Sequence, residues 1–118
     1  MAIKKDKPQK LYYSISEVAQ MFDINESALR FWEKEFDMIN PRKNEKGTRF
    51  YKEEDIESVR VVYYLLKEQG MTLAGAKKKL RDNKEKVIRQ VEVANKLKLI
   101  RAELLSIKEA FDRIDPEE

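Results

Sequence analysis

Over most of the chain, apolar and polar residues alternate with a helical period. Between residues 25 and 36, Leu29, Trp32 and Phe36 recur at i, i+3 and i+7, so they share one face of a helix and form its core side. Ser27, Arg30, Phe31 and Lys34 fall beside or opposite that face and give it a basic, partly aromatic outer surface. Upstream, Ser14-Ile15-Ser16-Glu17 has capping-box form, with a hydroxyl to accept from the amide three residues on and a carboxylate to accept from the first amide. Ile15, Val18, Ala19 and Phe22 supply the inward side of this first short helix. Asp23-Ile24-Asn25 joins the two helices, with Ile24 as an apolar plug and Asn25 as N-cap of the second. The spacing predicts a helix-turn-helix. Tyr12 and Tyr13, just ahead of it, read as a brief strand.

Past Asn40 the pattern changes. Pro41 bars helix, Asn44-Glu45-Lys46-Gly47 is turn chemistry, and Thr48-Arg49-Phe50-Tyr51 favours strand, which predicts a two-stranded hairpin with its basic residues exposed. Arg42, Lys43 and Arg49 around one tight turn would repel each other unless an anion such as phosphate relieves them. Glu53-Glu54-Asp55 then opens a helix where the macrodipole favours acids. Its apolar face runs through Ile56, Val59, Val62, Tyr63 and Leu66, and it stops at Gly70. Lys52, with no acceptor to offer as cap, weakens that helix start. Thr72 caps a further helix with Leu73, Ala76 and Leu80 inward, and Lys77, Lys78 and Lys79 form a solvated face. Gly75 inside it predicts a close packing contact or a frayed turn.

From about Lys84 a single long helix is expected. Val93, Leu97, Ile100, Leu104, Ile107, Phe111 and Ile114 follow one another at spacings of 4, 3, 4, 3, 4 and 3, an a/d stripe over three heptads. Left in water, these seven side chains would forfeit more than about 10 kcal/mol at ~1.5–3 kcal/mol each. No other helix has the length to cover them, so the chain should form a homodimer along this seam. Leu99 and Leu105 lie off the seam, where they could pack on the partner's globular part. The flanking charges do not fix the orientation: a parallel pairing sets Lys96 near Arg101 of the partner but Glu103 near Lys108.

Composition narrows the chemistry further. The 118 residues contain no Cys and no His, which removes disulfides, thiolate or imidazole metal sites and Cys or His catalysis. No acidic loop has calcium-ligand spacing, so neither a metal nor a cofactor is assigned. Glu53, Glu54 and Asp55 suit a helix dipole better than acid–base work, so no enzyme is expected. Tyr63, Tyr64, Trp32 and Phe36 could line a pocket but read as core, and no ligand is assigned. The net charge is only +3, yet residues 41–52 hold five cations against one acid, and Lys4, Lys5, Lys7 and Lys10 crowd a polar first segment. No apolar run approaches the ~20 residues of a membrane span and no signal peptide precedes the first helix, which predicts a cytoplasmic, nucleoid-associated protein.

Four stretches match one family in order and spacing. Tyr13-Ser14-Ile15-Ser16-Glu17-Val18-Ala19, then Ala28-Leu29-Arg30-Phe31-Trp32-Glu33, then Gly47-Thr48-Arg49-Phe50-Tyr51 with Glu53-Glu54-Asp55-Ile56 resemble the MerR-family DNA-binding domain, over roughly residues 12–83. The resemblance implies a mainly α fold: a winged helix-turn-helix with a small β-hairpin wing, then a long dimerisation helix that pairs as an antiparallel coiled coil. Its division would be a disordered basic arm over 1–11, the winged head over 12–83 and the coiled-coil helix over 84–118. By position, Arg30 and Phe31 on the recognition helix 25–36 would face the major groove or adjacent backbone, and Ser27 and Lys34 share their outward, DNA-binding surface. Arg42, Lys43 and Arg49 on the wing 41–51 would meet phosphates, with Tyr51 anchoring the hairpin or touching backbone.

The implied function is a homodimeric, sequence-specific transcriptional regulator on double-stranded DNA, at a pseudo-palindromic promoter site that it bends or untwists, with RNA polymerase as a further partner and no membrane. Metal and redox sensors of that family place cysteines around the coiled coil, and this chain has none. Drug and cobalamin sensors carry a further C-terminal domain, without counterpart after this seam, so no effector is assigned. Two other readings stand beside it. An architectural or excisionase-like accessory protein shares the helix-plus-wing head but need not dimerise. An adaptor that works through its coiled coil would have no use for a basic wing.

Overall fold

The computed structural model describes residues 10–114, so most of the basic arm expected over 1–11 lies outside the described residues. The chain divides after Lys78 into two compact units.

The first unit begins with α1, Ile15–Met21, which starts as its sequence dictates: Ser14 Oγ accepts from the Glu17 amide at 3.1 Å and Glu17 accepts from the Ser14 amide at 2.9 Å. After α1, Asp23 takes a left-handed φ of 55°, and the Ile24 amide donates back to Ala19 at 3.0 Å. The chain thereby reverses within three residues and enters α2, Glu26–Glu35. Asn25 occupies the N-cap position of α2, but its side chain makes no capping bond, contrary to expectation. The register of α2 turns Leu29 and Trp32, with Phe36 just beyond its end, into the core that also holds Val18 and Ala19 of α1 and its C-cap Phe22.

Strands β1 (Arg42–Lys43) and β2 (Arg49–Phe50) pair antiparallel, Arg42 with Phe50 and Lys43 with Arg49. Their turn is closed by Asn44, whose Oδ1 accepts from the amides of Lys46 and Thr48 at 2.9 Å each, while Gly47 supplies the φ of 84° that an L side chain would strain. The hairpin is footed on the rest of the head by a bridge between Tyr13 and Tyr51, so the strand expected around Tyr12 and Tyr13 is a single bridge.

Helix α3, Glu53–Tyr63, begins with Asp55 Oδ2 accepting from the Lys52 amide at 2.9 Å. That bond satisfies the amide of the N-cap residue itself; the first-turn amides that a capping side chain would serve receive no acceptor from Lys52. Ile56, Val59, Val61 and Val62 are buried. Beyond Tyr63 the expected continuous helix widens into a π turn, Tyr64–Glu68, with the Gln69 amide donating to Tyr64 at 2.8 Å. Within this turn it is Leu65, not the expected Leu66, that is fully buried. Gly70, at φ 66°, ends the element. The four aromatics considered as a pocket divide: Trp32 and Phe36 are buried, while Tyr63 and Tyr64 are half-buried and the Tyr63 ring packs 5.5 Å from Phe22.

Helix α4, Leu73–Asp112, is interrupted at Asn83 (φ −141°, ψ 50°), so two helices run end to end across it. Thr72 Oγ1 accepts from the Gly75 amide at 3.0 Å, and a Cβ on Gly75 would sit 3.1 Å from that oxygen, the close contact that its place in the helix predicts. Lys77, expected to be merely solvated, pairs with Glu35 at 2.9 Å.

The second unit carries the long helical segment 84–112. Its a/d stripe is exposed, from 54% at Ile100 to 72% at Phe111, and Leu99 and Leu105 are exposed beside it. The last seam position departs from expectation: Ile114 lies past the end of the helix, in a turn where its amide donates to Phe111 at 3.1 Å. Among the described residues no helix is long and apolar enough to cross a membrane.

Candidate nucleic-acid interface

Because Leu29 and Trp32 fix which side of α2 faces the core, the residues offset from them by about half a turn must face out. Ser27, Arg30, Phe31 and Lys34 are all exposed, Phe31 by 48%. Phe31 thus places an aromatic ring among the cations of this outer surface. Arg30 is loosely held by Glu26, one turn earlier, at 3.4 Å, so its guanidinium is available.

The wing stands next to this helix, and between them runs an open groove of about 720 Å³. Six of the eight residues expected to meet DNA line it: Ser27, Arg30, Phe31 and Lys34 from α2, Lys43 from β1 and Arg49 from β2. Glu33, Asp37, Ile39 and Asn40 complete the lining. Ile39, 1% exposed, packs under the segment that links helix to wing, and its amide donates to Phe36 at 3.1 Å. Four cationic side chains against two carboxylates leave the groove positive, with an aromatic face and hydroxyl and amide groups among the charges. Such a lining is complementary in charge and hydrogen-bonding groups to a polyanion whose bases offer hydrogen-bonding edges.

Two of the eight do not reach the groove. Arg42 is exposed on β1, where its guanidinium donates to the Tyr12 hydroxyl at 3.3 Å, and Tyr12 in turn meets Phe50 edge to face at 6.0 Å. Tyr51 is 0% exposed, which among its two expected roles favours anchoring the hairpin over touching DNA backbone. Its hydroxyl is buried without a protein hydrogen-bond partner, and burial, with the Glu33 carboxylate second, pushes it well above the ordinary tyrosine value.

Arg49 also differs from a freely exposed wing cation. Its Nε donates to Glu33 Oε1 at 2.9 Å, a terminal nitrogen lies 2.8 Å from the same oxygen in an ion pair, and the side chains of the pair are only 19% and 11% exposed. The hydrogen bond to Glu33 raises the guanidinium's pKa further, against a smaller opposing effect of burial. The second oxygen, Glu33 Oε2, is buried without a protein partner.

Glu33 stands among the residues that carry the family resemblance, yet nothing in its spacing points to Arg49. Asp37 and Asn40 reach the groove only because the chain after α2 bends back beneath it, and no periodic signal marks them.

The family of MerR HTH regulatory proteins matches residues 13–83 of this chain. Among characterised relatives, the HTH-type transcriptional regulator MlrA of Escherichia coli (strain K12) is 34% identical over 50 residues, which are 42% of this chain and 21% of that protein. An uncharacterised HTH-type transcriptional regulator of Bacillus subtilis (strain 168), YyaN, is 40% identical over 63 residues, 53% of this chain and 45% of its own length. These alignments therefore span less than half of either relative. A crystal structure of a MerR-family transcriptional regulator from Bacillus cereus superposes with a TM-score of 0.52 at 22% identity, over 92% of this chain and 88% of that one, and shares its fold.

Proposed function

The chain belongs to the MerR family of HTH regulatory proteins, and on that premise we propose that it acts as a homodimeric, sequence-specific DNA-binding regulator of transcription. In this reading α2 enters the major groove with Arg30 foremost, because a guanidinium forks onto guanine edges better than any other side chain. Ser27, Phe31 and Lys34 flank it on bases and nearby backbone. Lys43 and Arg42 take phosphates from the wing, and Arg49 presents to phosphate the N–H groups that Glu33 leaves over. The site would be a pseudo-palindromic promoter element, read by two heads held along the seams of an antiparallel coiled coil, with RNA polymerase the further partner through which a bent or untwisted promoter is used.

The observation that carries this reading is the groove: residues from helix and wing, far apart in sequence, converge on one positive, partly aromatic cleft. The exposed stripe from Val93 to Phe111 favours a dimer over a monomeric architectural binder. Selection of bound fragments from a random duplex pool tests both features together. A two-fold-related pair of half-sites at fixed spacing is the expected product. An unstructured or single half-site product would leave the architectural reading in its place.

A further inference from the structure

Glu33 is an awkward residue for a surface that receives DNA. It puts a carboxylate on the wall of a groove whose other charged residues are mostly cations, and electrostatics alone would favour its removal. Yet its side chain is 11% exposed, and Arg49 both donates a hydrogen bond to it and pairs with its charge at 2.8 Å. The pair joins α2 to β2 across sixteen residues of sequence. The wing it reaches is slight, with two residues in each strand, and its foot is the bridge at Tyr51, so a contact at Arg49 acts further out along the hairpin than that foot.

We propose that Glu33 is a positioning residue for DNA recognition, a strut that works through Arg49 to hold the wing at one spacing from the recognition helix. The inference rests on the DNA-binding reading above and adds what sets its selectivity. Base edges are read by α2, whereas phosphates gripped by the wing fix the register in which α2 lies. If the two move independently, the wing still grips phosphate but no longer aims α2, so discrimination falls while non-specific affinity persists. Because both of the Arg49 nitrogens that approach Glu33 meet a single oxygen, the rest of the guanidinium's N–H donors stay free of Glu33, so the strut does not consume the arginine's capacity for phosphate.

The test exploits opposite signs. Glu33→Gln deletes a negative charge from the groove, and a carboxylate with no positioning role would then only have weakened binding. Affinity for cognate and random duplex would rise alike and their ratio would stay constant. The strut requires the ratio to fall, by roughly five- to tenfold if the pair couples as contacting residues usually do, with random-duplex affinity unchanged or higher. Arg49→Lys keeps the charge, loses the planar fork, and should lower the ratio likewise; it carries the same test if Glu33→Gln does not fold. In the free protein, amide exchange at Thr48, Arg49 and Phe50 should quicken in either variant while the amides of α1 and α3 stay protected. An unchanged or increased ratio overturns the proposal, whatever the wing amides do. Should the wild-type protein discriminate no sequence at all, the DNA-binding reading fails first, and unchanged wing exchange would then dismiss the strut on its own.

Discussion

Tyr13 and Tyr51 exchange both of their backbone hydrogen bonds, at 2.8 and 2.9 Å, and so pin the foot of the wing to the residue that precedes the α1 cap. The Tyr51 ring is fully buried there and its hydroxyl finds no protein partner. The ring's job is therefore packing, and the oxygen is a cost. Tyr51→Phe should keep or raise the melting temperature and leave DNA affinity as it was, since it removes a hydroxyl that loses its water on folding and gains no partner. Tyr51→Ala should cost about 3 kcal/mol or more. A drop in DNA affinity for the phenylalanine variant at unchanged stability would put the hydroxyl back at the interface.

The same hydroxyl makes the head sensitive to alkali. An ordinary tyrosine ionises near 10.0, and in the folded chain Tyr51 is shifted upward, first by burial and then by Glu33. A raised acid means the unfolded chain releases its proton first, so stability is intact below the unfolded value and is lost as pH climbs beyond it. Urea midpoints measured between pH 8 and 11 should decline above pH 10 in the wild type. Tyr51→Phe should flatten that decline; an equal slope in both would assign it to other groups.

What sequence could reveal was governed by the range over which each signal acts. The α1 cap is a bargain among four consecutive residues, and the α2 face is a matter of helical spacing, so Ser14, Leu29 and Trp32 appear where periodicity puts them. The hairpin was legible from Pro41, Asn44 and Gly47, each of which restricts its own backbone. The tie between Glu33 and Arg49 joins two elements whose spacing only the fold determines, and an arginine in a basic turn reads as a phosphate ligand until its partner is seen. Tyr51 ends a strand pattern that leaves its burial undetermined, because alternation names two faces without saying which is covered. The π turn at Tyr64–Glu68 inserts a residue into a helix whose apolar pattern looked regular, and Ile114 kept the heptad spacing beyond the point at which the helix stops.

Arg30 and Lys43 should separate the two ways of holding DNA. Arg30→Ala is expected to cost about 1–3 kcal/mol on the selected site and much less on random duplex, because a base-edge contact exists only on the right sequence. Lys43→Ala and Arg42→Ala should weaken both alike and reduce the slope of log affinity against log salt by about 1 for each phosphate left without its cation. All three side chains are exposed, so melting temperatures should scarcely move. Equal losses on both duplexes for Arg30→Ala would take it out of the specificity account and leave it among the phosphate ligands.

The seam offers the sharpest test of assembly. Leu104 is 61% exposed in the single chain, midway along a stripe whose other members are as exposed as it is. In a dimer two copies of it would be covered, at ~1.5–3 kcal/mol for each side chain. Leu104→Lys forfeits that burial twice over and would place two ammonium groups in an apolar seam, where each carries a desolvation cost of its own. The dimer dissociation constant should therefore rise at least about a hundredfold, which corresponds to roughly 2.7 kcal/mol. Sedimentation at micromolar concentration should show the wild type at twice the chain mass and the variant shifted toward the monomer. The core of the first unit, from Val18 to Leu65, shares no residue with the seam, so its circular dichroism and exchange-protected amides should survive the substitution. Binding to a single half-site should also survive, while affinity for the full two-fold site should collapse toward it, because the second head would no longer be delivered at high local concentration. A variant that stays dimeric would mean that this stripe is not what joins the two chains. A variant that dissociates yet keeps full affinity for the two-fold site would mean that the heads cooperate on DNA without the tail.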